Sequence, residues 1–118
     1  MIKLLKKLVQ ADTTSKNGEI AAAKAIDEFL EGSPLETTLD CWGQGRANIV
    51  AKLNSIRKNK ALLFACHLDV VPQGQAEWEK PAFSGIEADG RIYGRGTADM
   101  KGGTAACIAA IRQIAESG

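Results

Sequence analysis

His67, Asp69 and Asp99 are the residues of this chain whose types and spacing suit chemistry best. His67 is the single histidine, and it lies in "ACHLDVVP", directly after the apolar run "ALLFAC" over 61–66. Functional residues of α/β proteins commonly sit where strands end. Asp69 follows two positions later, and in extended chain positions i and i+2 face the same side. The imidazole and the carboxylate therefore project together. A carboxylate there accepts the second ring N–H, fixes the tautomer and raises the basicity of the other nitrogen as a metal ligand. The competing reading is a strand-end histidine bonded to its neighbour for structural reasons alone.

Asp99 stands in "YGRGTADMKGG", 93–103, the densest run of glycine and charge in the chain. Glycines before a helix suggest phosphate binding, and the letters test it. A phosphate loop of the G-x-x-x-x-G-K-[ST] type needs Gly before its Lys and a hydroxyl after it. Here Met100 precedes Lys101 and Gly102 follows it. The dinucleotide fingerprint G-x-G-x-x-G fits Gly94 and Gly96 but meets Asp99 at its third glycine. A carboxylate there repels an anion. Asp99 also has a plain reading, the N-cap of the last helix. A plain cap does not need Gly102 and Gly103 in the first turn, where each costs up to about 1 kcal/mol relative to Ala. Close backbone approach does need them. With two acceptor oxygens, Asp99 can bridge two cations about 3.5–4 Å apart. His67 and Asp99 together make a nitrogen and oxygen donor set that suits zinc.

The elements that must position these residues are legible from periodicity. Ile2, Leu5, Leu8 and Val9 recur at helical spacing, with Lys3, Lys6 and Lys7 largely opposite, so a short amphipathic helix opens the chain. A loop, "DTTSKNG", follows, with Ser15 or Asn17 placed to cap the next helix. That helix is "EIAAAKAIDEFLE", with Ala22, Ile26, Phe29 and Leu30 on one face, ended by Gly32 and Pro34. Leu35, Thr37, Leu39 and Cys41 alternate with other residues and predict a strand; Ala47, Ile49, Ala51 and Leu53 predict a second. "NSIRKNK", 54–60, reads as a polar turn. "ALLFAC" is continuously apolar and reads as a strand buried on both faces. No regular element is expected from His67 to Gly85, and a loop that long in a compact domain is usually functional. "GIEADGRIYG" predicts a hairpin around Asp89-Gly90. Ala105, Ile108, Ala109 and Ile111 form a stripe on a last helix running to about Ser117.

Composition narrows the class. The chain has 118 residues, 15 Lys+Arg against 14 Asp+Glu, and 5% aromatics. That balance gives no basis for a nucleic-acid surface, and helices mixed with strands indicate an α/β domain. Cys41, Cys66 and Cys107 are scattered, with no C-x-x-C pair, which argues against a disulfide framework and a thiolate zinc site. Cys66 points away from His67 and is expected in the core. A reducing cytoplasm is the expected compartment; lysines interrupt the N-terminal apolar stretch, and no run is long enough to span a membrane.

Three blocks, "HLDVVP" at 67–72, "W…PAFSG" from Trp78 to Gly85 and "DGRIYGRGTADMKGG" at 89–103, carry a family resemblance. Asn48 in "RANIVAKL" and the early "DTTS" add to it. The sequence resembles the co-catalytic zinc peptidases and deacylases: acetylornithine deacetylase, succinyl-diaminopimelate desuccinylase, aminoacylase and the glutamate carboxypeptidases. The resemblance implies a three-layer αβα catalytic domain with a mixed sheet, incomplete in this chain. Residues 1–118 would be its N-terminal part, without the lid or dimerisation domain. It further implies that His67 binds one metal, that Asp99 bridges two, that Asp69 supports the histidine, and that the Asp99–Met100 peptide is cis.

The implied activity is hydrolysis of amide bonds in N-acyl amino acids or small peptides with two zinc ions, cobalt being able to stand in. A homodimer would form through the missing domain; no nucleic acid or membrane is expected as partner. The family's general-base glutamate, the acidic metal ligand beside it, a further acidic ligand and a late histidine are all expected beyond Gly118. Glu116, in the last helical turn, is no substitute. The chain alone is therefore expected to be inactive. Two rivals stand beside this reading: a non-catalytic partial domain with weak or no metal binding, and a nucleotide-binding α/β module. Arg95 and Lys101 are expected to hydrogen-bond nearby backbone, and neither receives a substrate role from the sequence.

Overall fold

Two antiparallel hairpins and three helices make up the computed structural model, which describes residues 1–56 and 59–118. Helices α1 (Ile2–Gln10) and α2 (Ile20–Leu30) precede strands β1 (Glu36–Trp42) and β2 (Arg46–Lys52). The short strands β3 (Ile86–Ala88) and β4 (Arg91–Tyr93) follow, and then a wide helical turn at Thr97–Lys101 runs into α3 (Gly102–Ser117). These are the elements of an α/β domain, as expected. Of the polar turn expected over 54–60, Arg57 and Lys58 lie outside the described residues.

Apolar side chains on one stripe of each helix build the core. Leu4, Leu8 and Val9 of α1 are buried with Ala22, Ala25, Ile26 and Leu30 of α2 and Ala105 of α3. Leu4 takes the inward place expected of Ile2, which is exposed. Ile49 and Ala51 of β2 pack on the same cluster, as does Leu53 just beyond it, so one face of the first hairpin rests on α2. No side chain caps α2; Glu19 stands at its start instead of Ser15 or Asn17. The register of β1 and β2 runs from Glu36 opposite Lys52 to Trp42 opposite Arg46. The second hairpin turns at Asp89 and Gly90, both with left-handed φ, 51° and 72°. That is the backbone a two-residue hairpin turn requires.

The expectation of a third, buried strand is overturned. The run 61–66 is not a buried strand: Leu62 and Leu63 are 82% and 84% exposed, and no strand is assigned from 53 to 85 among the described residues. Cys66, expected in the core, is exposed too. An apolar run states what surface wants cover, but a strand forms only where a neighbour takes up its hydrogen bonds. Among the described residues neither hairpin does so. The loop from His67 to Gly85 carries no helix or strand, as expected.

Candidate metal centre

His67 and Asp99 meet although 32 positions separate them, with Nε2 2.9 Å from Asp99 Oδ1. The other ring nitrogen, Nδ1, lies 3.1 Å from the backbone oxygen of Asp69 and 3.3 Å from its Oδ1. The imidazole thus lies between two acidic residues, one at each nitrogen. An arrangement with both nitrogens donating is an imidazolium. Accordingly the hydrogen bond to Asp99 raises the His67 pKa above its ordinary 6.5, against the opposing effect of burial and with help from Asp69. The Asp99 side chain is largely exposed, so its second oxygen is open to another partner.

Glycines let the Asp99 loop fold this tightly. Gly96 has φ +80°, and a Cβ there would stand 2.5 Å from Val70 Cγ1. At Gly94, φ +155°, a Cβ would meet Val9 Cγ1 at 2.2 Å. The glycines therefore serve close backbone approach. The wide turn closes with Lys101 N–H on Gly96 O at 2.8 Å, a five-residue reach of the kind found as single turns at functional sites. The Asp99–Met100 peptide is cis, as the resemblance implies. Asp99 lies in the turn before α3 and makes no capping bond to it, so the plain cap reading falls.

The donor pair fits a divalent cation. A tetrahedral zinc about 2.0–2.1 Å from a nitrogen and an oxygen holds them about 3.3 Å apart, and the observed 2.9 Å needs a shift of only a few tenths of an ångström to reach that. Asp69 meets Nδ1 with its backbone oxygen and holds its carboxylate close by, an arrangement that would leave Nε2 to ligate. Two ligands do not complete a zinc site. Among the described residues no group of three or more His, Cys, Asp or Glu is gathered for a metal ion. His67, Asp69 and Asp99 line one cleft of about 300 Å³ with Val70, Val71 and the loop from Gly94 to Ala98.

Met100 and Thr13 escaped the sequence reading, whereas Lys101 hydrogen-bonds backbone as expected. Met100 Sδ accepts the His67 N–H at 3.4 Å. Thr13 donates its hydroxyl to Leu68 O at 2.6 Å. Lys101, fully buried, donates from Nζ to Ala11 O at 2.8 Å. The only hints in the sequence were a hydroxyl pair in a loop and a lysine among glycines. Arg95, also without a substrate role from the sequence, stacks its guanidinium over the Trp78 ring, 5.1 Å from the centroid.

The fold and site together define a class: α/β proteins that bring an imidazole onto a carboxylate held in a glycine-rich loop. The model of peptidase family M20/M25/M40 matches residues 63–118, and the chain is similar to that family there. Over 99% of its length the chain is 36% identical to the succinyl-diaminopimelate desuccinylase of Gluconacetobacter diazotrophicus, covering 30% of that protein. It is 34% identical over 98% of its length to the probable succinyl-diaminopimelate desuccinylase of Staphylococcus aureus, covering 28% of it. A 63-residue stretch is 48% identical to the desuccinylase of Methylobacterium radiotolerans, covering 53% of the chain and 16% of that relative. The chain thus spans less than a third of the length of these relatives. Among the described residues no helix is long and apolar enough to cross a membrane.

Proposed function

We propose that this chain contributes part of the metal centre of a zinc-dependent hydrolase of amide bonds in N-acyl amino acids or small peptides. The observation that carries this reading is the 2.9 Å approach of His67 Nε2 to Asp99 Oδ1, with Asp69 at the other ring nitrogen. Relatives named as desuccinylases support an N-acyl amino acid as substrate. Zinc, when bound, lowers the pKa of a water towards about 7 and polarises the carbonyl of an amide. The chain's own residues have separate tasks. His67 presents Nε2 as a neutral donor. Asp69 holds the remaining proton on Nδ1. Asp99 would offset cationic charge, and its exposed second oxygen would be open to a second cation.

The absence of a third donor among the described residues favours weak uptake of metal and no turnover by residues 1–118 alone. Calorimetric titration of this chain with zinc tests the reading. Heat of binding is expected for the unaltered chain and is expected to disappear in His67→Ala and in Asp99→Ala. Zinc uptake unchanged by both substitutions would refute the metal centre. Incubation with zinc and an N-succinyl amino acid is expected to release no succinate; release would show that the chain is catalytically sufficient.

A further inference from the structure

The two arms of the site have no sheet to hold them. Among the described residues His67 and Asp69 have no strand partner, and Asp99 lies in the turn before α3. Their spacing must come from elsewhere, and the hydrogen bonds lead to one short segment, residues 11–14. Thr13 grips the first arm twice. Its hydroxyl donates to Leu68 O at 2.6 Å, and its own carbonyl accepts the Val70 N–H at 3.1 Å. These two bonds bracket Asp69. Lys101 ties the second arm to the same segment through Nζ and Ala11 O at 2.8 Å. Ala11 caps α1, where a carbonyl has no helical N–H to accept.

Both residues are buried to 0% exposure, and their chemistry exceeds what packing needs. An apolar side chain would fill either place without the cost of burying a polar group. Burial pushes the Lys101 pKa down to about 8, with Asp12 pulling it back up. The lysine stem also fills the space that Gly96 leaves open, since a Cβ there would stand 3.3 Å from Lys101 Cδ. The segment is itself braced: Thr14 N–H donates to Asp12 Oδ1 at 3.0 Å, and Thr14 O accepts from Asn17 and Gly18 N–H at 2.9 Å.

We propose that Thr13 and Lys101 are positioning residues that clamp the His67 arm and the Asp99 arm to residues 11–14, and so set the separation of the two donors. The proposal rests on reading His67 and Asp99 as a metal pair. Neither clamp residue touches the metal. Each acts through a backbone it holds, as outer-shell partners do when they change metal affinity by 10–100-fold.

The test uses the 118-residue chain, cobalt as a spectroscopic probe and the His67 ring proton resonance in the metal-free chain. Asp99→Asn is expected to move that resonance. Thr13→Val and Lys101→Met are expected to move it the same way and to weaken cobalt uptake about tenfold. Thr13→Ser, which keeps the hydroxyl, is expected to restore both. Ile26→Val, a core change remote from the clamp, is expected to lower the melting temperature while leaving both unchanged. A resonance unmoved by Thr13→Val and Lys101→Met overturns the clamp, whatever cobalt does. Equal losses in Ile26→Val overturn it as well, because they reduce it to general stability. A chain whose cobalt uptake does not depend on His67 refutes the metal reading instead, and the resonance still decides the clamp.

Discussion

On the proposed function, His67 is a histidine that must change partners. Without metal, Asp99 and Asp69 draw a second proton onto the ring, and its pKa rises above 6.5. A folded-state pKa above the unfolded value stabilises the fold fully below the unfolded pKa. That contribution is lost as pH rises through the folded value. The ring is half exposed, so the contribution is small. Metal binding needs the neutral ring and has the opposite sign: uptake expels a proton and weakens as pH falls through the same window. A proton NMR titration of the metal-free chain is expected to place the His67 midpoint above 6.5, and Asp99→Asn is expected to lower it. A midpoint unaffected by Asp99→Asn would contradict the contact. The sequence carried His67, Asp69 and Asp99 in plain view, because a single histidine two positions from an acid and an acid set among glycines need no fold to be noticed. The partners of Thr13 and Lys101 were illegible for the opposite reason. Their meaning lies in contacts spanning 55 and 90 positions with backbone oxygens, and no side-chain pattern announces a carbonyl partner.

Elements whose burial is settled by their own periodicity were legible: α1, α2, the first hairpin and α3 all form near where the apolar spacing places them. The run 61–66 was not, since its environment depends on neighbours rather than on its own letters. The difference has an energetic consequence. Leu8→Ala, at a fully buried site, is expected to cost about 2–5 kcal/mol in urea unfolding. Leu62→Ala, at an exposed one, is expected to stay within about 0.5 kcal/mol. A large loss at Leu62 would show that this run is covered in solution. The glycine loop offers a second contrast. Gly96→Ala forces a left-handed φ and a clash with Val70, and should cost about 2–4 kcal/mol. Gly90→Ala, also at left-handed φ but with nothing within 4 Å, should cost about 1–2 kcal/mol. Equal losses in urea unfolding would contradict the close approach.

The molecule as a whole pairs a well-buried helical core with a face of exposed apolar side chains. Trp42, Val50, Leu62, Leu63 and Phe64 belong to that face, beside a groove of about 580 Å³ that Ile108 and Ile111 also line. The chain matches under a third of the length of its relatives, and its site contains two donors and a supporting carboxylate. Zinc uptake by such a pair would depend on which ring nitrogen is offered to the metal, and Asp69 at Nδ1 favours Nε2. The most direct measurement is nitrogen NMR of the His67 ring during zinc addition. Nε2 is expected to shift as a metal ligand while Nδ1 keeps its proton, and Asp99→Ala is expected to abolish the shift. A ring that zinc leaves unchanged, or that binds through Nδ1, would contradict the account.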